Sequence, residues 1–194
     1  MTPGPSLAEP AFPDDDGLAY PALAEALGDD VAVLSVLGSV RVFVPIVATL
    51  GDQGAAEDPG GGAGPWAAEG AGGGAGPWAA EGASGGAGPW AAKGTDKDAD
   101  MAAVLMTGAD GRRALLTFSS LTTMAAWNPE ARPVPVWGQA AAVAALAEGA
   151  SALLLDLGSP HFSVVETNDV QHLAAGDRLV RTADSLAWVR APGA

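Results

Sequence analysis

The apolar positions near the start of the chain predict two short helices. In "YPALAEALGDD", Leu23 and Leu27 lie one helical turn apart, and Gly28 is placed to end the helix. The following "DDVAVLSVLGS" fits two structures, either a helix capped by Asp29 or Asp30 or the first arm of a hairpin. We favour the helix, followed by a strand.

Strands are predicted where apolar residues alternate or where turn residues separate apolar runs. The pattern "VRVFVPIV" over residues 40–47 predicts a strand, in which Pro45 indicates an edge position or an irregular end. The clearest hairpin is "MAAVLMTGADGRRALLTF", whose strands are joined across residues 108–111 with Asp110 and Gly111 in the turn. "ARPVPVWG" predicts a short edge strand, because its prolines cannot donate to a neighbouring strand.

The second half of the chain combines predicted helices and strands. "SSLTTMAAW" predicts a helix that begins at Ser119 or Ser120, and "GQAAAVAALAEG" predicts a longer one. After them, "SALLLDL" and "HFSVVE" have the apolar character of short strands. "NDVQHLAAG" predicts a last helix with Asn168 and Gln171 as its capping pair. The tail over residues 177–194 is expected to add one strand.

These elements predict one small domain of the α/β (α+β) class, with a mixed β-sheet of about five strands and flanking helices. The domain is expected to comprise residues 19–50 and 95–176, since 194 residues suit one domain rather than two. Residues 1–18 are rich in Pro, Asp and Gly and offer too little apolar surface to offset the entropy of ordering. A disordered lead-in is therefore expected there.

A tandem repeat interrupts the predicted domain over residues 51–94. Three near-copies of "GGAGPWAAEGA" place Trp66, Trp78 and Trp90 at a period of twelve residues. One large side chain in each Gly-rich unit cannot build a stacked core, so we expect a disordered insertion. Such a loop is tolerated because each doubling of loop length costs only about 0.6 kcal/mol. The alternative is a multivalent segment that offers three indole rings to a protein partner.

The overall charge limits the classes of partner. The formal net charge of −14 opposes binding to nucleic acid and to anionic membrane surfaces, both of which attract Lys and Arg. The absence of cysteine and of an N-terminal secretion pattern fits a reducing cytoplasm. In the apolar stretch over residues 31–50, Arg41 and Pro45 interrupt the run, which favours two core elements over a membrane span. We therefore expect a cytoplasmic protein.

No catalytic residue is predicted. "GASGG" has the letters of a nucleophile elbow around Ser84, but it lies in the repeat, without the strand and helix that strain such a turn. His161 and His172 are the two histidines, and either is able to pair with a carboxylate such as Asp156 or Glu166. Because such pairs are common in proteins without acid–base chemistry, a noncatalytic protein is expected.

Three aspartates at alternate positions resemble part of a calcium-binding loop. Asp96, Asp98 and Asp100 have this spacing, but the loop also needs a Gly at its sixth position and a Glu at its twelfth. Met101 and Thr107 stand there instead. Neither a metal site nor a cofactor site is predicted.

Aromatic, cationic and acidic side chains supply the candidates for binding. Trp127 and Arg132 in "WNPEARPVPV" are predicted to line a surface pocket. Asp96 and Asp100 mark its expected entrance. Trp127 equally suits a position that caps the core at a helix end. The remaining candidates, for docking a protein partner, are the repeat tryptophans Trp66, Trp78 and Trp90.

Two long stretches and a short one carry a family resemblance. The long ones are "DMAAVLMTGADGRRALLTFSSLTTMAAWNPEARPVPV" and "ALAEGASALLLDLGSPHFSVVE", and the short one is "GSVRVFVPIVA". Together they resemble the SseB N-terminal domain family in its actinobacterial form. The resemblance implies a small α/β domain with a mixed sheet in a bacterial cytoplasm. It carries over no catalytic or binding residue to this chain.

We expect a noncatalytic protein-interaction or regulatory domain with a protein partner still to be identified, because no motif occurs in the context that its chemistry requires. The alternative is a small-molecule sensor, with an amino acid as one candidate ligand. The sequence leaves the oligomeric state open.

Overall fold

Five helices and nine strands occur in the described part of the chain, which comprises residues 12–50, 81–86, 99–108, 110–182 and 185–190 of a computed structural model. The helices are α1 (Pro21–Ala26), α2 (Asp30–Leu37), α3 (Leu121–Trp127), α4 (Gly138–Ala147) and α5 (Thr167–Ala174). The strands are β1 (Arg41–Leu50), β2 (Glu81–Gly86), β3 (Ala99–Thr107), β4 (Arg113–Thr117), β5 (Arg132–Trp137), β6 (Ala152–Leu155), β7 (Ser163–Val165), β8 (Asp177–Arg181) and β9 (Leu186–Arg190).

Seven of the strands form one mixed sheet. Six of them lie in the order β5-β1-β3-β4-β6-β7, and β2 pairs with β3 from Ala103 to Thr107. Strands β4 and β6 run parallel, and the other neighbours run antiparallel. Strands β8 and β9 form a separate antiparallel hairpin. The predicted α/β class with a mixed sheet is confirmed, with more strands than the five expected.

Side-chain caps fix where α2 and α3 begin. Asp29 accepts hydrogen bonds from the backbone N–H groups of Val31 and Ala32 at 3.0 and 3.1 Å. The helical alternative for this stretch is therefore correct. At α3, Ser120 and Thr123 form a reciprocal capping box.

Prolines explain the strand pairing at one side of the sheet. Strand β5 is an edge strand, as predicted, and Pro133 lies opposite Pro45. Phe43 exchanges both backbone hydrogen bonds with Phe118, so its N–H points away from β5. Because backbone nitrogens alternate sides along a strand, the nitrogen of Pro45 also points away from β5. Pro45 therefore faces the gap before the β3 ladder, which starts at Ile46. Strand β1 is internal, and Pro45 marks this irregularity rather than a sheet edge.

Both faces of the main sheet are covered by apolar side chains. Helices α1, α2, α4 and α5 pack on one face, where Val42 and Leu115 belong to the larger cluster. Helix α3 packs on the other face, where Met124 joins Phe118 and Leu116. Burial on both faces explains why a strand such as "ALLL" is apolar at every position.

Several regions differ from the sequence expectation. The tail forms two strands rather than one, and strand β2 lies inside the predicted insertion, of which residues 51–80 and 87–94 lie outside the described residues. In the predicted lead-in, residues 12–18 are described, and Asp15 pairs with Arg41 at 2.8 Å. The capping pair predicted for α5 is wrong, because that helix already starts at Thr167, one residue before Asn168.

The long apolar stretch over residues 31–50 divides between α2 and β1, as expected. None of the helices in the described ranges combines the length and apolar character needed to cross a membrane.

The junction of α2, β1 and α4 depends on a glycine. Gly138 begins α4 directly after β5, and its N–H donates to the carbonyl of Val40 at 2.9 Å. An added Cβ would lie 1.9 Å from the carbonyl oxygen of Leu37. Only a residue without a side chain lets α4 start so close to the end of α2.

Replacing Gly138 with Ala is expected to destabilise the fold by roughly 1–3 kcal/mol, because the backbone must shift to admit the methyl group. Helix propensity alone would make Ala stabilising, by at most about 1 kcal/mol at this first helical position, so the sign of the change is decisive. Urea unfolding followed by circular dichroism measures it. Ala140→Gly in the same helix is the control that reports propensity alone. A stabilised Gly138→Ala variant would contradict the close approach.

Candidate functional site

An apolar groove of about 800 Å³ lies between α2, α4 and the start of β8. Its volume falls within the range of about 300–1,000 Å³ that is common for binding sites. Val143 and Trp137 are large apolar side chains that remain 50% and 46% exposed on its walls. A contiguous apolar surface of this kind marks a candidate interaction site. Its apolar lining consists of Leu34, Trp137, Ala140, Val143, Ala144 and Leu173.

The alanine-rich sequence of α4 explains why Val143 stays outside the core. Ala141, Ala142 and Ala145 are buried against the sheet, so the helix packs closely through small side chains. Val143 points into the groove instead. Trp137 ends the edge strand β5, and Phe12 packs against its ring with centroids 5.0 Å apart.

Charged side chains stand at the β8 end of the groove. Oδ2 of Asp177 lies 2.8 Å from Nδ1 of His172, and its Oδ1 accepts from Nε of Arg190 at 3.2 Å. His172 in turn stacks on Trp188, with ring centroids 5.0 Å apart. Arg178 also borders the groove, is exposed, and makes no ion pair with another described residue. The groove thus joins an apolar wall to one cation that is accessible to an anion.

A second polar cluster lies at the carboxyl ends of the parallel strands β4 and β6. Oδ1 of Asp156 accepts from the N–H of Ser119 and from Oγ1 of Thr123, both at 2.8 Å. Arg41 donates to the carbonyl of Ser119 at 2.8 Å, and its guanidinium lies 4.0 Å from the ring centroid of Phe43. These bonds tie α3, β1 and the turn after β6 together.

Two atoms of this second cluster lack a hydrogen-bond partner among the described residues: Oδ2 of Asp156 and Oγ of Ser119. Such atoms are uncommon in native proteins and call for an explanation. Asp156 also has a positive φ of 55°, which Asp tolerates better than most residues. However, Asp156 is only 1% exposed and Arg41 only 3%, so the cluster offers a ligand no accessible surface. We assign it to the fold rather than to binding.

The residues that the sequence predicts to line a pocket do not line this groove. Trp127 packs on Phe118, with ring centroids 5.4 Å apart, in the core-capping position that was the alternative interpretation. Arg132 is exposed at the start of β5, and neither residue lines the groove. Asp100 lies in β3. The other candidates lie outside the described residues, and their roles stay predictions: Asp96, Trp66, Trp78 and Trp90.

The histidines and carboxylates pair differently from the combinations considered in the sequence. His172 contacts Asp177, whereas Glu166 accepts from Arg112 at 2.8 Å. His161 is exposed. Within the described ranges, no group of three or more His, Cys, Asp or Glu side chains is arranged to hold a metal ion.

Sequence reasoning missed the groove because its walls are far apart along the chain. Leu34 and Val143 come from different helices, and the pattern of either helix alone gives no sign of the other. The available signal was Val143 itself, a large apolar residue among the small alanines of α4.

A family model for the SseB protein N-terminal domain matches residues 19–172. The chain belongs to this family. Neither a curated protein nor a solved structure gives a match. In this SseB-family domain, α2 and α4 lie within the matched residues, whereas Asp177 and Arg178 follow them. The groove is therefore built jointly by the family domain and the hairpin that comes after the match.

The hydrogen bonds from His172 and Arg190 hold the pKa of Asp177 below its ordinary value, the bond from His172 being the larger cause. The unfolded chain, with the ordinary pKa of about 3.9, binds a proton more readily than the folded chain. Ionised Asp177 therefore stabilises the folded state above that pH. The contribution is lost as pH falls through the lowered pKa.

Asp177→Asn is expected to lower the free energy of unfolding at neutral pH, and the gap from the wild type should shrink as pH falls below about 4. Urea unfolding at a series of pH values measures the gap. Asp14→Asn, at an exposed position, is the control for a general change in charge. A gap that stays constant across the series would contradict the assigned role of Asp177.

Proposed function

We propose that this SseB-family domain is a noncatalytic protein-interaction domain of the bacterial cytoplasm. The observation that carries the proposal is the exposed apolar groove with Arg178 at its end. Covering apolar surface is favourable by roughly 25 cal/mol for each Å² removed from water. Val143 and Trp137 supply such surface on α4 and β5, both of which pack against the core.

The extent of the groove suits a polypeptide partner. Ser35 lines both the groove and a smaller cavity of about 200 Å³, which reaches beneath Leu179 and Leu186 of the hairpin. The apolar surface consequently follows α2 from Gly38 back to Val31. A segment of several residues covers such a surface better than a compact molecule does.

Local charge indicates the chemistry of the partner. The chain has a net charge of −14, yet the hairpin carries Arg178, Arg181 and Arg190. Because Arg178 is exposed beside the apolar wall, a partner with an apolar side chain near a carboxylate complements both features.

Val143→Glu is expected to abolish capture of the partner from native lysate, because it places a carboxylate in the apolar wall. The chain with this substitution is compared with the wild type and with Ala126→Glu, which adds the same charge on the exposed side of α3. Circular dichroism checks that both variants fold. Partners retained by Val143→Glu, or lost equally from Ala126→Glu, would contradict the proposal.

The small-molecule sensor is the second candidate, because the volume of the groove also fits a small ligand. A ligand of this kind, such as an amino acid, should raise the melting temperature by binding the folded state. Val143→Glu should remove the rise if the groove binds it. Trp127→Ala should remove it instead if the pocket predicted near Trp127 and Arg132 does so. Thermal unfolding against a panel of amino acids separates the two sites.

A further inference from the structure

We propose that the groove binds a segment of this same chain, the first tryptophan repeat "GPWAAEG" at residues 64–70. Trp66 enters the apolar part of the groove, and Glu69 pairs with Arg178. The inference rests on the proposed function, since the repeat occupies the same surface as a protein partner and competes with that partner for it.

The size and character of the groove match one indole ring with a short flank. Each repeat contains a single large apolar side chain among Gly, Ala and Pro, so Trp66 is the group able to fill an apolar cavity. A tryptophan buries about 150–250 Å² and also gains from contact with a second aromatic ring. Trp137 provides that ring beside Leu34 and Val143.

The charges of the repeat and the groove are complementary. Glu69 follows Trp66 by three residues, which places the two Cα atoms no more than about 10 Å apart. Arg178 borders the cavity that receives the ring and has no described ion-pair partner. The acidic net charge of the chain otherwise repels a carboxylate, so the hairpin is a favourable place for it.

The pairing of β2 and the sequence distinguish the first repeat from the other two. Glu81, the acidic residue of the second repeat, is in β2 and pairs opposite Thr107, which commits that backbone to the sheet. The third repeat has Lys93 at the equivalent position, which Arg178 repels. Only the first repeat therefore combines a tryptophan and a carboxylate outside the described strands.

The chain around Trp66 is long enough to reach the groove. Trp66 follows Leu50, the end of β1, by sixteen residues, which span up to about 50 Å when extended. Strand β1 has ten residues and is about 33 Å long. Its first residue, Arg41, pairs with Trp137 at the groove, so the repeat is able to return along the length of β1.

A labelled peptide of residues 61–72 tests the proposal by fluorescence anisotropy. The receptor is the full chain with Trp66→Ala, which removes the competing anchor. We expect the peptide to bind this receptor, to lose at least about tenfold in affinity when its own tryptophan is replaced by Ala, and to lose as much on a receptor that also carries Val143→Glu. Equal binding to the Val143→Glu receptor would overturn the proposal.

A charge exchange tests the pairing with Arg178. Glu69→Lys in the peptide copies the third repeat and should weaken binding about two- to fivefold, as an exposed ion pair allows. On a receptor with Arg178→Glu, the order of the two peptides should reverse. Arg178 is exposed, so Arg178→Glu is expected to keep its fold. The charge exchange therefore tests the proposal even if Val143→Glu unfolds the chain. An unchanged order would overturn the assignment of Glu69 to Arg178.

Competition shows whether the chain fills its own groove. The intact chain should bind the labelled peptide at least about tenfold more weakly than the Trp66→Ala chain, because a tethered repeat has an effective concentration near millimolar. Equal affinities would overturn occupation by the chain itself. If the peptide fails to bind while Val143→Glu still loses its cellular partner, this inference falls and the proposed function stands. If Val143→Glu changes neither the binding of the peptide nor the capture of the partner, the inference and the proposed function are both overturned.

Discussion

The close approach of Gly138 to the carbonyl oxygen of Leu37 is the constraint on which the groove depends. At this point the end of α2, the start of β1, the end of β5 and the start of α4 meet, and the N–H of Gly138 bonds to the carbonyl of Val40. A side chain at the junction would move α4 away from α2. Because the alanines of α4 then let the helix lie close to the sheet, its large exposed apolar residue, Val143, faces the groove rather than the core. Close backbone packing and exposed apolar surface are two results of the same sequence.

The C-terminal hairpin gives this surface its electrostatic character. A two-stranded sheet is marginal by itself, and β8 and β9 are held by their packing on α2 and α5 and by the bonds that join Asp177 to His172 and Arg190. Those bonds pair the carboxylate of Asp177 with its neighbours, so Arg178 is the charged side chain that stays accessible at the groove. The same hairpin lies beyond the residues that match the family model. The matched residues thus contribute most of the apolar walls, and the hairpin contributes the cation.

Several local interactions were predictable from the sequence, whereas the cap of α5 and most long-range contacts were not. Asp29 as a helix cap and Gly111 in the hairpin turn each act within a few residues, and both occur as expected. Strand β2 was missed because "EGASGG" has no side-chain pattern, so that its pairing with β3 rests on the backbone. Trp127 was ambiguous because an indole suits both a pocket and the core, and only its contact with Phe118 shows which neighbour it has. The groove needed residues from α2 and α4 together, which no local pattern contains.

Duplication of a twelve-residue unit does not by itself make a multivalent ligand. Multivalency requires that each copy be free to bind, and the three copies here differ in sequence and in their position relative to β2. The second copy leads into β2 through Glu81, and the third replaces the acidic residue with Lys93. A strand pairing and a reversed charge therefore separate sequences that look nearly identical. The number of copies that are able to contribute to binding therefore depends on the contacts open to each copy, and repetition of the sequence does not fix it.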